Sequence, residues 1–486
     1  MTKLPQNVLD CGSLAVIQLP HQKNEGVSHM NASKQTRDLT QGRPLTQILL
    51  FALPLVAGTL FQQLYSFVDT VMVGRFVGVD ALAAVGDTYS LNFLTLGFIQ
   101  GAYVGFGIPL SQSWGAGEPE ELRRYYWNGW YLSAVVAVVM TVLTTLFAGP
   151  LLHLVQTPED IFQEALAYIR IIFLGLPVTI LYNYGANTLR SVGDSRHPLY
   201  FLLISSGVNI LLDYLFMAPL QMGVRGAALA TVLSQALSGA LCLWWLHGKT
   251  DVVAARPGER QFSGRHVKRM CVVGLPMGFE YAVSALGAVV LQGAINSLGT
   301  TAIAAQTTGE KIRQMFTLPM ESVGMAMATY VGQNFGAKRI DRIRQGIRSG
   351  LLIQAVYCVL AWLVLFVGKR PFVALVLGDA TSEAAQGAIQ YLTLISPLFL
   401  LLGMLMIFRN TLQGMGYSSY ALLSGVAELI GRSVGSAIAV TLTSFAVISV
   451  TNPMAWGLAM CYCAGMVAHF LRKNERLLRE ENSREQ

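Results

Sequence analysis

Long apolar stretches, separated by short polar segments, recur along almost the whole chain. We interpret twelve of them as membrane-spanning helices, because a helix needs about 20 mostly apolar residues to cross the hydrocarbon core. The predicted spans cover residues 48–73, 82–112, 125–148, 163–188, 197–216, 224–246, 268–296, 302–333, 347–368, 386–408, 420–446 and 453–471. The pattern therefore predicts an all-α polytopic membrane protein.

The same short sequence islands occur twice, in the same order and at a nearly constant offset. Leu53-Pro54 recurs as Leu275-Pro276, and Gln112 with Gly115 recurs as Gln333 with Gly336; a third pair is Asn187-Thr188-Leu189 and Asn410-Thr411-Leu412. This indicates a duplicated unit of six spans. Because six is even, both copies face the same way. We therefore predict two six-helix lobes related by a pseudo-two-fold axis along the membrane normal.

The repeats also divide the chain. We expect a polar N-terminal tail (1–44), an N-lobe (45–246), a cytoplasmic linker (247–267), a C-lobe (268–471) and a charged C-terminal tail (472–486). Most of the 34 Lys and Arg residues, with Arg409 counted among them, fall in segments on one side of the membrane. The positive-inside rule then places both termini in the cytoplasm.

Composition excludes several classes of protein. With 53% hydrophobic and 13% charged residues, the chain is too apolar for a soluble protein of this length. The net charge of +7 reflects basic loops beside anionic lipid, so membrane lipids and no nucleic acid are expected as partners. The sequence carries no nucleotide-binding, metal-ligand or catalytic motif, so we expect no cofactor and no enzyme activity. Pumping would then draw on an ion gradient.

Polar side chains inside spans are costly and usually functional. The first span carries a polar stripe that ends at Asp69, and Asn209 and Asp213 share one face of the fifth span. We predict a cation- or proton-coupling site formed by Asp69, Asn183, Asn209, Asp213 and Thr231. If the coupling ion is Na⁺, the ligands would be Asp69, Asn209, Asp213 and Thr231, because hard cations prefer oxygen. The alternative is that both acids only cap helices near the membrane surface.

A second group of polar and aromatic residues is predicted to line the substrate cavity. Acids and aromatic rings favour lipophilic cations, through charge and cation–π contacts. Two alternatives stay open: Glu310 lies beside Lys311 and Arg313, and Glu428 lies one helical turn from Arg432, so each acid could be neutralised internally. The cavity candidates are Gln62, Tyr65, Ser66, Glu280, Gln306, Glu310 and Glu428.

Several motifs resemble one known family. They are Phe51-Ala-Leu-Pro54, Gln62-Gln-Leu-Tyr65, Val68-Asp69-Thr70 with Gly74-Arg75, Leu189-Arg190-Ser-Val-Gly193-Asp194, Asn209-Ile-Leu-Leu-Asp213 and Gln333-Asn-Phe-Gly336-Ala337. Together these resemble the multidrug and toxic compound extrusion (MATE) transporters, most closely the prokaryotic DinF-like and MepA-like members. The resemblance covers about 45–471, nearly all of the chain outside its tails.

The resemblance implies a transporter of the bacterial plasma (inner) membrane that exports organic cations in exchange for Na⁺ or H⁺ through a V-shaped cavity. It implies an ion-binding role for Asp69 and matches the other four N-lobe positions. Some members also use a carboxylate in the seventh span, but Glu280 lies a few residues before that position. A monomer is expected. The alternatives are a lipid-linked-sugar flippase of the same superfamily and an integral membrane enzyme acting on lipids.

Overall fold

The computed structural model describes residues 37–254 and 256–485, which form fifteen α-helices, a short 3₁₀ helix and no strand. Most of the predicted N-terminal tail lies outside the described residues. The first repeat contains α1 (Pro44–Phe76), α2 (Val79–Asp87), α3 (Tyr89–Ala116), α4 (Pro119–Leu154), α5 (Glu159–Leu174), α6 (Leu176–Ser191), α7 (Arg196–Met217) and α8 (Val224–Gly248). The second contains α9 (Gly264–Asn296), α10 (Thr300–Gly336), α11 (Ile340–Leu377), α12 (Glu383–Ile395), α13 (Phe399–Gly414), α14 (Ser418–Thr441) and α15 (Phe445–Glu485).

These helices make twelve spans. Among the described residues, ten segments are long and apolar enough to cross a membrane, and an eleventh is the pair α5–α6, bent by 46°. The remaining span is α10, whose 37 residues include several polar and charged side chains. The predicted all-α, twelve-span fold is confirmed. The breaks occur at Pro177 and Pro397, since proline lacks the N–H that a continuous helix would use.

The first helix of each repeat packs in part against the opposite lobe. The first half of α1, with Ile48, Phe51 and Leu55, belongs to the hydrophobic core of α10–α15. Reciprocally, Met270 near the start of α9 belongs to the core of α3–α8. We call α1–α8 the N-lobe and α9–α15 the C-lobe. A change in the position of α1 therefore changes the packing of the C-lobe core.

The lobes meet most closely at the end of the bundle where both described chain ends lie, which we call the termini face. A Cβ on Gly115 of α3 would lie 1.8 Å from the Gln333 carbonyl oxygen, and one on Gly336 of α10 would lie 1.9 Å from that of Gln112. Only glycine permits this backbone contact. The two glutamines also bond across the lobes: Gln112 donates to the Gly414 carbonyl at 3.0 Å and Gln333 to the Ser191 carbonyl at 2.9 Å.

These two contacts are equivalent under the repeat, because Ser191 and Gly414 occupy matching positions after the Asn-Thr-Leu islands. The segment before α1 adds to the closure. Leu39 is fully buried and its N–H donates to the Gln333 side chain at 3.0 Å. Arg342 of α11 donates to the carbonyls of Leu39, Gln41 and Gly42 at 3.0–3.2 Å. The termini face is therefore closed in this structure.

Candidate functional site

A polar cavity lies inside the N-lobe, between α1, α3, α6, α7 and α8, with Met325 of α10 on its wall. Four-residue spacings on these helices bring pairs of polar side chains onto the same face, as with Thr179 and Asn183 on α6 and with Ser205 and Asn209 on α7. The polar residues that line it include Gln62, Tyr65, Gln100, Asn183, Arg190 and Asn209.

Two acids lie side by side next to this cavity. The carboxyl groups of Asp69 on α1 and Asp213 on α7 are within hydrogen-bonding reach of each other, although two ionised carboxylates can only accept. Asp213 is fully buried and Asn209 is 2% exposed. One oxygen of Asp69, both oxygens of Asp213 and both polar atoms of the Asn209 amide have no hydrogen-bond partner among the described residues.

Such a cluster is unusual, because nearly all buried polar atoms in folded proteins are hydrogen-bonded. The phenol groups of Tyr65 and Tyr168 lie near both acids. A proton shared by the carboxyl groups, or a cation between them, would satisfy the unpartnered oxygens and remove the repulsion. In the part of the chain that the structure describes, no cluster of three or more His, Cys, Asp or Glu could hold a metal ion. A cation here would need neutral oxygens as well.

The other two predicted coupling residues are located relative to the adjoining cavity. Asn183 faces the adjoining cavity and donates to the Thr179 carbonyl at 2.9 Å. Thr231 lies on α8 one turn before Gln235, which lines the cavity, and its hydroxyl makes no hydrogen bond with a described residue. Of the cavity candidates on α1, Gln62 and Tyr65 line the cavity, whereas Ser66 is exposed and is not part of the lining.

The C-lobe candidates are placed differently from the prediction. Glu280, Gln306, Glu310 and Glu428 are not among the residues that line the N-lobe cavity. The carboxylates of the three glutamates are instead compensated by arginines within the lobe. Arg409 lies 2.9 Å from Glu280 and also bonds to Glu428, which lies 3.1 Å from Arg432. Arg409 is only 6% exposed, so counting it among the cytoplasmic basic residues was wrong.

The chain of polar contacts continues across the C-lobe. Arg432 donates to Asn452 at 3.0 Å, and Asn452 donates to Glu310 at 3.2 Å. Glu310 lies 2.6 Å from Arg313 and accepts a bond from Gln306 at 3.4 Å. Both internal ion pairs considered from the sequence are therefore present. Buried acids in hydrocarbon surroundings need such partners, and these acids have them within the C-lobe.

One cavity residue escaped the sequence analysis. Arg190 lies seven residues after Asn183 on α6, hence on the same helix face. This spacing is the signal that could have identified it. It was obscured because Arg190 lies near the end of a predicted span, where a basic residue is usually explained by the positive-inside rule.

Comparison with known proteins agrees with this fold. The probable multidrug resistance protein YoeA of Bacillus subtilis (strain 168) is 27% identical over 374 residues, 76% of this chain and 80% of that protein. The multidrug export protein MepA of Staphylococcus haemolyticus (strain JCSC1435) is 22% identical over 380 residues, 78% of this chain and 83% of its own. Other similar proteins are named NorM, so the predicted branch stays a prediction.

Solved structures show the same architecture. An outward-facing conformation of a multidrug resistance MATE family transporter of the MOP superfamily has a TM-score of 0.84 at 20% identity, covering 91% of this chain and 99% of that one. The profile of the MatE family matches residues 54–215 and 276–438, once in each repeat. Because these matches cover more than half of the chain, it belongs to the MatE (MATE) family of membrane transporters.

Proposed function

We propose that this protein exports organic, cationic amphipathic compounds by alternating access, in exchange for Na⁺ or H⁺. The observation that carries the proposal is the pair Asp69 and Asp213, whose buried oxygens lack partners beside a polar cavity. The names of the relatives, which describe multidrug resistance and export, support the substrate class. Buried acids without compensating bases favour positively charged ligands, whether a coupling ion or a substrate.

The coupling mechanism follows from the position of Asp69. When the site is empty of protons and cations, the two carboxylates repel each other, and ion binding from the side opposite the termini face removes that repulsion. Asp69 shares α1 with Ile48 and Phe51, which pack in the C-lobe core, and Pro54 lies within the helix between them. Ion binding therefore acts on a helix that contacts both lobes.

The ion shifts the balance between conformations only by its differential affinity for them. In the conformation closed at the termini face, the site is reached from the opposite face, so ion entry there would favour release of substrate to that side. Opening the termini face would require the contacts of Gln112 and Gln333 to break. We place the termini face in the cytoplasm of a bacterial inner membrane and the working unit as a monomer.

The direct test is ethidium efflux in everted vesicles, driven alternately by a Na⁺ gradient and by a proton gradient. Gradient-dependent ethidium transport by one ion and not the other would identify the coupling ion. Transport that responds to neither gradient would contradict the proposal. Scrambling of a labelled lipid without ethidium transport would instead favour the flippase alternative.

The orientation has its own test. Cysteines introduced at Glu118 and Lys338 occupy equivalent loops of the two repeats, next to the termini face. A membrane-impermeant maleimide should label both in everted vesicles and neither in intact cells. Labelling of either site in intact cells would contradict the proposed orientation.

A further inference from the structure

Among the described residues the Arg190 side chain has no acidic partner, unlike Arg409 and Arg432 of the C-lobe. It lines the N-lobe cavity and also a smaller adjoining cavity between the lobes. Its Nε atom is buried without a hydrogen-bond partner among the described residues. Its Nη1 atom reaches the Asn187 side chain only at 3.4 Å, and Tyr182 lines the same cavity.

A guanidinium in this position is electrically uncompensated. Arginine stays protonated in proteins, and buried charges are normally paired. The acid closest in sequence, Asp194, is already engaged. One of its oxygens lies 2.6 Å from the His197 ring, and the other accepts the backbone N–H groups of Arg196 and His197. In the described part of the chain, no Asp or Glu pairs with Arg190.

The cavity therefore has acidic side chains near one end and a basic side chain at the other. The unpartnered acids Asp69 and Asp213 adjoin it through Asn209 and Tyr65, while Arg190 lies on its lining toward the termini face. Between them the walls offer neutral hydrogen-bonding groups such as Gln100 and Asn183. A ligand that complements both ends carries a cationic group and an anionic group separated by a body with few charges.

We propose that Arg190 is a substrate-recognition residue that binds the carboxylate of zwitterionic amphiphiles. The inference rests on the proposed function, since it takes the N-lobe cavity as the substrate site. A carboxylate suits the position because it accepts two parallel bonds from the planar guanidinium fork. The cationic end of the same compound is directed toward the acid pair. Zwitterions with a carboxylate then bind more tightly than the corresponding esters, which keep only the cationic group.

The test uses rhodamine B, which has a free carboxylate, and its ethyl ester, in which an ethyl group replaces the negative charge. Binding of each dye is measured by fluorescence on the full-length purified protein. The wild-type protein should bind the acid about tenfold more tightly than the ester, the effect of one hydrogen bond to a charged group. Arg190→Gln should remove this preference while changing the Kd of the ester less than twofold.

Two further variants separate recognition from folding. Arg190→Lys keeps the charge but loses the fork, so it should retain only part of the preference. Arg225→Gln, which removes an exposed basic residue near the start of α8, should leave both affinities unchanged. If Arg190→Gln does not fold, the loss of preference is measured on Arg190→Lys, and a missing wild-type preference for the acid still overturns the inference.

Equal wild-type affinity for acid and ester, or tighter binding of the ester, would overturn the inference. So would an equal loss of both affinities in Arg190→Gln. Gradient-driven efflux of the ester, a simple cation, tests the proposed function separately. Working efflux of the ester without any preference for the acid would therefore overturn the role of Arg190 alone.

Discussion

The two lobes have the same ancestry and use matching positions in opposite ways. Glu280, Arg409 and Glu428 form a bonded triad in the C-lobe. Shifted by the repeat offsets, their N-lobe counterparts are Gly58, Ala186 and Ser205. Gly58 and Ser205 line the N-lobe cavity. Small residues thus leave open in one lobe the space that charged side chains fill in the other.

Farther from the termini face it is the N-lobe that carries acids where the C-lobe has uncharged residues. The N-lobe acids Asp69 and Asp213 correspond to Leu291 and Ser436 in the C-lobe, and Asn209 corresponds to Arg432. The counterpart of Tyr65 is Gly287, where a Cβ would lie 2.6 Å from the Arg432 guanidinium. The C-lobe therefore admits a buried base at the level where the N-lobe keeps acids without one.

This difference separates acids that are paired inside the structure from acids that we propose bind an ion. A buried carboxylate with a bonded arginine is electrically complete, and neither a proton nor Na⁺ gains much by approaching it. A buried carboxylate without a base needs an exchangeable cation. One duplicated framework therefore carries a lobe whose buried acids have arginine partners and a lobe in which, among the described residues, the acid pair has none.

The largest expected effect comes from Asp69→Asn, which keeps the shape of the side chain but removes its charge. Gradient-driven ethidium efflux in everted vesicles should fall to background, while expression stays close to wild type. Asp213→Asn should weaken coupling less completely. The matched control is Ser436→Ala, at the C-lobe position equivalent to Asp213, which should transport normally. Wild-type efflux by Asp69→Asn would contradict the assignment of the coupling site to this pair.

The second prediction concerns the glycine contacts at the termini face, which are equivalent in the two lobes. Gly115→Ala puts a methyl group into the backbone of Gln333, so the termini face cannot close as it does here. Ethidium efflux should drop at least about tenfold, because preventing closure costs more than 1.4 kcal/mol. Gly336→Ala, its repeat counterpart, should match it.

Two measurements check this closure. Gly149→Ala adds the same methyl group at a position with no neighbouring atom within 4 Å, so it should transport normally. A cysteine at Ser191 should become more reactive from the termini face in Gly115→Ala than in the parent protein. Unchanged efflux and reactivity in Gly115→Ala would mean that this contact does not control access.

The third prediction concerns the ion pairs of the C-lobe and their contribution to stability. Glu428→Gln leaves Arg409 and Arg432 with one carboxylate fewer, and removing one partner from a buried pair costs about 3 kcal/mol or more. The free energy of unfolding in mixed detergent–SDS titrations should fall by that amount. Ser205→Ala, the N-lobe counterpart, should change it by less than about 1 kcal/mol. Equal stability of the two variants would show that the network is not structural.

The smallest expected effects are on the unfolding free energy, from the ion pairs of two equivalent arginines at the termini face. Arg123 holds Glu259 of the linker through two bonds of 2.7 Å in a buried contact, whereas its counterpart Arg344 meets Glu475 in an exposed one. Glu259→Gln should lower the unfolding free energy by about 2 kcal/mol. Glu475→Gln should lower it by about 0.5 kcal/mol, the usual contribution of an exposed pair.

The buried pair also predicts a pH dependence. The bonded Arg123 guanidinium holds the pKa of the Glu259 carboxyl below its ordinary value. The folded state therefore binds the proton less well than the unfolded state, and the contribution is complete above the ordinary pKa of about 4.3. It is lost as the pH falls below that value toward the folded pKa. Urea or SDS unfolding of Glu259→Gln should lack this acid-side loss; an identical pH profile for wild type and variant would contradict the assignment.

Much of this protein was determined by its sequence. The apolar stretches predict the spans because a helix is the simplest way to satisfy the backbone in lipid. Even the polar residues Asn209 and Asp213 could be placed together, since a four-residue spacing brings two side chains onto one helix face. The duplicated islands also predict the matching of Gln112 and Gln333, because a repeat reproduces local geometry.

Only the tertiary structure decided which acids have bases. Glu280 is separated from Arg409 by more than a hundred residues, and no spacing rule links positions on different helices. Asp69 and Asp213 likewise come together only when α1 packs beside α7. Arg190 was ambiguous in sequence because a basic residue near the end of a span usually faces lipid headgroups. Packing instead turned it toward the cavity, and in a poorly hydrated interior the partner that a charge finds, or lacks, determines its role.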